Sequence, residues 1–306
     1  MNRITFVDNL KGFGILCVIL GHIASPFSHF IYLWHMPLFF FIGGFFINLN
    51  KNNIDFIISN TKNLMGIYII FGILGISIEI LKDIVLRREI EIKELIIGLL
   101  FYMDYEHLQN SYALILWFLP SLLIAKITCF FILKYTKWLF LPYIAAIIFI
   151  LKYNINLPFV LDIGIITSIF CLFGYFFFKN CSRFGGRQQV IIWTGLSIFC
   201  YLFVEINILE YRNFVWIFHL AFCISFCILL MFVFYEYPRI LNFKYFGIHS
   251  VFFYIAHIYT NNIANYALKY FDIKNWIIIF MLSLILLIAI QYTFNSIKSK
   301  IYFKTL

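Results

Sequence analysis

The sequence predicts an all-α integral membrane protein, a bundle of about ten transmembrane helices with the N- and C-termini cytoplasmic. Three observations carry that fold class. Hydrophobic residues make up 63% of the 306 positions and charged residues only 12%, with a mean hydropathy of +0.94; a water-soluble domain of this length could not bury that much apolar surface. Apolar runs of about twenty residues, the length that crosses a bilayer as a helix, recur from end to end. Lysine and arginine collect in alternate connectors, which gives the chain a direction.

The ten runs fall near 8–26, 30–49, 63–81, 113–133, 138–152, 160–178, 188–206, 213–234, 247–268 and 275–296. The residues before the first run, and the run itself with Lys11 and His22, lack the small-residue cleavage site of a signal peptide, so the first helix is expected to be retained. With the N-terminus inside, the cytoplasmic segments hold most of the basic residues, among them Arg3, Lys51, Lys134, Lys137, Arg183, Arg187 and Lys298. The longest outer connector, near 82–112, alternates in sign through Lys82, Asp83, Arg87, Arg88, Glu89, Glu91, Lys93 and Glu94. Its apolar stretch Leu95–Met103 is too short to span and is expected to lie at the interface or to re-enter. An even number of spans returns the chain to the cytoplasm, where the basic tail from Ser296 to Leu306 would meet anionic lipid. Residues 1–306 are expected to form one transmembrane domain, without repeats or a soluble appendage.

The remaining composition narrows the function classes. The net charge of +9 is spread over many connectors and forms no patch, so nucleic acid is not an expected partner. The seven cysteines, at positions 17, 129, 171, 181, 200, 223 and 227, contain no CxxC pair and read as small apolar filler, with neither a disulfide framework nor a metal site expected. No P-loop, HExxH helix or GxSxG elbow occurs.

Polar groups inside the apolar runs are where chemistry is expected, since an ionisable side chain at membrane depth is costly and usually has a partner or a task. Asp8 and Lys11 are spaced i,i+3 on the first run. Lys11 and His22 are eleven residues apart, which on a helix restores nearly the same direction about 16 Å further along. Lys11 reads equally as a snorkelling lysine beside its acid. His22 reads as a general base or proton shuttle, or as a hydrogen bond between helices. His35 opens the second run ahead of Pro37, which a first helical turn tolerates. Ser250, Tyr254 and His257 in the ninth run, at i, i+4 and i+7, put three hydrogen-bonding groups on one helical face, which should turn inward from lipid. Trp117 and Asp162 are weaker candidates from the fourth and sixth runs.

These segments together resemble the integral-membrane acyltransferase family 3, which includes the O-antigen O-acetylases and the fucose 4-O-acetylase-like enzymes. The matching pieces are Asp8-Asn9-Leu10-Lys11-Gly12 through Gly21-His22, His35-Met36-Pro37-Leu38-Phe39-Phe40, Trp117-Phe118-Leu119-Pro120, Leu161-Asp162-Ile163 followed by Phe173-Gly174-Tyr175, and Gly247-x-x-Ser250-x-x-x-Tyr254-x-x-His257. They cover the chain in the family's order. Lys11 stands where many members have arginine, keeping the charge while losing the two-pronged grip on phosphate. The Arg-x-x-Arg motif of some members has no clear counterpart between Lys51 and Lys62, and no SGNH hydrolase-type extension like that of some relatives is expected.

The resemblance implies a membrane O-acyltransferase of the bacterial plasma (inner) membrane. It would move an acetyl group from cytoplasmic acetyl-CoA to a hydroxyl of a cell-envelope polysaccharide or lipid-linked sugar. His22 and His35 would be catalytic, Lys11 and Asp8 would hold the donor, and Trp117, Ser250, Tyr254 and His257 would line the substrate pocket. Membrane lipid, the glycan acceptor and a glycan-assembly or transferase partner are the implied partners. Rival readings are a transporter or lipid-linked glycan flippase, with His22 and His257 as coupling groups, and an acyl relay to a separate extracytoplasmic transferase.

Overall fold

The computed structural model describes residues 5–88, 91–202 and 216–304. Positions 203–206 and 213–215 of the seventh and eighth expected spans, together with Arg3, Glu89 and Arg212, lie outside the described residues. All regular structure among the described residues is helical: α1 (Thr5–Gly21), α2 (Ser28–Phe45), α3 (Asn53–Leu86), α4 (Ile92–Ile97), α5 (Tyr105–Leu108), α6 (Phe118–Lys134), α7 (Thr136–Tyr153), α8 (Leu161–Lys179), α9 (Cys181–Phe184), α10 (Arg187–Tyr201), α11 (Trp216–Glu236), α12 (Lys244–Ile248), α13 (Ser250–Tyr270) and α14 (Trp276–Lys304). Each of the ten apolar runs coincides with a helix, namely α1, α2, α3, α6, α7, α8, α10, α11, α13 or α14.

Among the described residues, five helical segments are long and apolar enough to cross a membrane: Asn53–Leu86, Leu114–Lys134, Pro158–Lys179, Ile217–Glu236 and Trp276–Asn295. Trp138–Tyr153 is apolar but shorter. The helices that carry the candidate histidines fall outside this set. α1 has 17 residues, and the apolar character of α2 and α13 is diluted by His29, His35, Ser250, His257, Thr260 and Asn261.

The helices form two compact units, residues 1–35 with 237–306 and residues 36–236. In the first, α1 and α12 touch at the backbone. A Cβ added to Gly12 would run into the carbonyl oxygen of Phe243, and one added to Gly247 would run into that of Asp8. Absence of a side chain at both positions is what lets the two helices meet. Asn9, fully buried, secures the same crossing: its Nδ2 donates to the Pro238 carbonyl at 2.9 Å and its Oδ1 accepts from the Phe243 amide at 3.1 Å. A buried amide inside an apolar helix is satisfied on both its donor and its acceptor, as its burial demands.

α13 and α14 are tied by side chains rather than by close backbone approach. Thr260 and Ser283 share a hydrogen bond at 2.9 Å, and the Ser283 hydroxyl donates to Asn261 Oδ1 at 2.6 Å. Further along α14, Gln291 Nε2 donates to His249 Nδ1 at 2.9 Å.

In the second unit the crossing of α2 on α8 repeats the glycine device: a Cβ on Gly44 would meet the Cys171 carbonyl oxygen, and one on Gly174 that of Phe41. The Cys171 thiol donates to the Phe40 carbonyl at 3.0 Å. α3 packs by Phe56 stacked on Phe130, ring centroids 4.1 Å apart. The stretch Leu95–Met103 folds back on α3 through a π-helical turn, Gly98–Tyr102. Tyr68, fully buried, donates its hydroxyl to the Leu99 carbonyl at 2.8 Å and fastens this connector.

Candidate active site

The site is assembled in the first unit around the end of α1. The spacing predicts one helix to residue 26 with His22 along it; α1 instead stops at Gly21, and His22 stands in the turn that follows, its amide still donating to the Val18 carbonyl at 3.2 Å. Two local features end the helix early. Pro26 disfavours helical backbone in the residue before it. Ser28 then donates its hydroxyl to the Ile23 carbonyl at 2.7 Å and accepts from the Ser25 amide at 3.2 Å, taking over backbone groups that a continuing helix would pair. From inside, Asn261 Nδ2 donates to the Ile19 carbonyl at 3.1 Å, satisfying another group of the last turn. Ile23 buries against Ala264 and Ile279, so the residue beside His22 is anchored in the core.

The short reversal into α2 brings three imidazoles and two phenols together. Tyr32 Oη lies 3.2 Å from His22 Nδ1. The His22 ring centroid is 5.0 Å from that of His257 and 6.5 Å from that of His35. Tyr32 contacts His35 edge-on at 5.2 Å, and Tyr254 lies 6.1 Å from His257. Trp34 stacks on Phe13 at 5.9 Å with the planes 7° apart, fixing α2 against α1 one residue before His35.

Hydrogen bonding sets the tautomers of two of these rings. His35 Nδ1 is 2.8 Å from the Ile31 carbonyl oxygen and His257 Nδ1 is 2.6 Å from that of Tyr254. A carbonyl only accepts, so in both rings Nδ1 carries the proton and the neutral imidazole keeps a lone pair on Nε2. His257 Nε2 is buried and has no hydrogen-bond partner among the described residues. His35 and His257 are buried, whereas His22 is exposed. The accessible imidazole is therefore flanked by two fixed, inward ones. Among the described residues no three His, Cys, Asp or Glu side chains are arranged to hold a metal ion.

The other expected site residues are distributed. Tyr254 joins the cluster through His257. Ser250 belongs to the same helical face but sits in the first turn of α13, seven residues and about 10 Å before His257. Asp8, buried, and Lys11, half-buried, lie on α1, Lys11 about 16 Å before His22. Trp117 belongs to the second unit, at the end of the 3-10 turn Leu114–Trp117 that leads into α6, and Asp162 stands in the first turn of α8 in the same unit.

Two site residues went unnoticed in the sequence. Tyr32 precedes His35 by three positions, and Asn261 follows His257 by four, so each shares a helical face with a histidine already singled out. That spacing was the available signal.

A family model described as an acyltransferase domain matches residues 4–295. No curated protein and no solved structure matches the chain.

Proposed function

The chain belongs to acyltransferase family 3, and on that premise we propose that it is an O-acetyltransferase, moving the acetyl group of acetyl-CoA to a hydroxyl of a cell-envelope polysaccharide or lipid-linked sugar. The observation that carries the reading is the placement of one exposed imidazole, His22, between two buried imidazoles whose Nδ1 atoms are held on backbone carbonyls.

In this reading His22 donates Nδ1–H to Tyr32 Oη, which leaves its Nε2 lone pair to take the proton of the acceptor hydroxyl. The acceptor oxygen attacks the thioester carbonyl carbon, the C–S bond breaks, and the imidazolium returns its proton to the departing thiolate. The products are the acetyl ester and free coenzyme A. The His257 ring, 5.0 Å from that of His22, gives the charged imidazolium a neutral polar neighbour, and His35 packs on Tyr32 and the ring of His22. Lys11 and Asp8 would meet the donor on the cytoplasmic side, with both termini there, ten spans in the bacterial inner membrane and the acceptor presented from outside.

Purified protein reconstituted in lipid, given acetyl-CoA labelled in its acetyl group and a glycan acceptor, tests the reading. Label should move to the glycan, and His22→Ala should slow the transfer by about 10²–10⁴-fold, the usual contribution of a general base. Transfer by His22→Ala at the wild-type rate would refute the role of His22. Passage of unmodified glycan across the vesicle without label transfer would favour a carrier.

A further inference from the structure

Acyl transfer builds negative charge on an oxygen as well as moving a proton. When an acceptor oxygen attacks a thioester, the carbonyl π pair moves onto the carbonyl oxygen, and a donor fixed where that charge develops lowers the barrier. The imidazoles that flank His22 cannot act as that donor. His35 and His257 each use Nδ1–H on a backbone carbonyl, of Ile31 at 2.8 Å and of Tyr254 at 2.6 Å, and are left with a lone pair on Nε2. A lone pair repels an oxyanion. The serines of the turn after α1 are committed to it. Ser28 donates to the Ile23 carbonyl at 2.7 Å, so in its 3.0 Å contact with Ser25 the Ser25 hydroxyl is the donor. Deeper in the unit, Ser283 donates to Asn261 Oδ1 at 2.6 Å and Asn261 Nδ2 to the Ile19 carbonyl at 3.1 Å.

Tyr32 is placed differently. Its Oη lies 3.2 Å from His22 Nδ1. With the imidazole proton on Nδ1, the phenol oxygen accepts in this bond, and its own hydrogen is directed away from His22. A phenol keeps that hydrogen at neutral pH. The side chain is half-buried beside the exposed His22, and it stands on α2 rather than in the turn. Two rings hold it there: His22 at 5.5 Å with the planes 82° apart, and His35, one turn further along α2, at 5.2 Å and 76°. A donor fixed in this way needs no reorganisation at the moment of reaction. The two hydrogen bonds also reinforce each other. As His22 gains a proton, Nδ1–H becomes a stronger donor to Oη and polarises the phenol O–H in turn. Base and donor would therefore strengthen together as charge builds on the carbonyl oxygen.

We propose that Tyr32 is a catalytic residue: its O–H donates a hydrogen bond to the thioester carbonyl oxygen as that oxygen becomes an oxyanion, while His22 Nε2 takes the proton of the acceptor hydroxyl. The electron pair on the oxyanion then re-forms the carbonyl, the C–S bond breaks, and the departing thiolate takes the proton from His22. The phenol hydrogen stays on Tyr32 throughout. The inference rests on the acyltransferase reading for the reaction, and on the hydrogen bonding of the cluster for the identity of the donor.

The test uses the full-length protein in lipid, with acetyl-labelled acetyl-CoA as donor and envelope glycan isolated from the source cells as acceptor. Tyr32→Phe should lower kcat by about 10²–10³-fold, the usual loss for one oxyanion donor, with KM for acetyl-CoA changed by less than about threefold. Loss of the acceptor for His22 Nδ1 would also lower kcat, so monofluorotyrosine and difluorotyrosine placed at position 32 separate the two roles. Fluorine makes the phenol a better donor and a poorer acceptor while leaving its shape nearly unchanged. Below the pH at which these phenols ionise, kcat should rise about twofold with each fluorine. A fall with each fluorine would make Tyr32 a positioning residue for His22 and overturn the proposal. A rate indifferent to the fluorine series, or Tyr32→Phe turning over at the wild-type rate, would overturn it as well while leaving the acyltransferase reading intact. Wild-type protein that moves no label to the glycan would refute that reading and the role of Tyr32 with it.

Discussion

The two units use the same device to bring helices together and then diverge. In both, a pair of glycines lets one backbone rest on another, Gly12 with Gly247 in the first and Gly44 with Gly174 in the second. Around the second crossing the filling is apolar: Phe40, Phe41 and Cys171 are buried there. Around α1 the filling is polar: Asn9 pins the chain before α12, while Asn261 and Ser283 link α13 to α1 and α14. Four of the five helical segments apolar enough to span on composition alone belong to the second unit. Transmembrane helices gain little from the hydrophobic effect between themselves, so packing and hydrogen bonds must hold them. The first unit accepts a loss of apolarity to fix three imidazoles, and the second keeps its apolarity and encloses a cavity of about 290 Å³.

The contrast can be broken most decisively at its reactive end. His257→Phe, which keeps a flat ring but removes the orphan Nε2, should lower acetyl transfer by about 10²-fold or more, with the thermal transition nearly unchanged; a wild-type rate would remove His257 from the chemistry. Next in size is the glycine contact. Gly12→Ala and Gly174→Ala each force a Cβ against a carbonyl, and about 1–3 kcal/mol of stability should go in either unit. A melting curve in detergent that leaves Gly12→Ala unshifted would show that the α1–α12 contact yields without cost. Asn261→Leu tests the polar filling of the first unit. It removes the links to Ile19 and Ser283 and should cost about 1–2 kcal/mol, with a loss of transfer beyond what the lowered stability explains, because the last turn of α1 carries His22. The smallest effect is expected in the second unit. Ser168→Ala removes the 2.9 Å contact with Tyr143 and should cost about 0.6 kcal/mol, with transfer unchanged.

Much of the architecture could be read from the sequence because hydropathy reports on one helix at a time. Within the described residues a helix overlaps each expected span, and the connector at 82–112 does contain a short apolar helical piece. The face shared by Tyr254 and His257 was likewise legible from spacing. What spacing could not reveal is set by contacts across long sequence separations. Asn261 reaches Ile19 over 242 positions and Asn9 reaches Pro238 over 229, and neither bond leaves a trace in local periodicity. The end of α1 was misread for a related reason: the apolar pattern continues through Ile23, yet Pro26 and the two serines decide where the helix stops. Nor did periodicity announce the cavity of the second unit, since Asp104, Asn156 and Asp162 in its lining come from three separate segments.

The early end of α1 has an electrostatic consequence. Peptide dipoles add along a helix and leave partial negative charge on its last carbonyls. A histidine deep along a helix that ran on to residue 26, as the periodicity placed it, would stand beside the helix and gain less from that field. One residue beyond Gly21, His22 stands at the negative pole of all four turns. Whatever positive charge the ring acquires during proton transfer is favoured by the helix behind it, a stabilisation of about 0.3–2 kcal/mol at such positions. A change as remote as one that lets α1 run on past Gly21 would then slow the reaction without touching any side chain in the cluster.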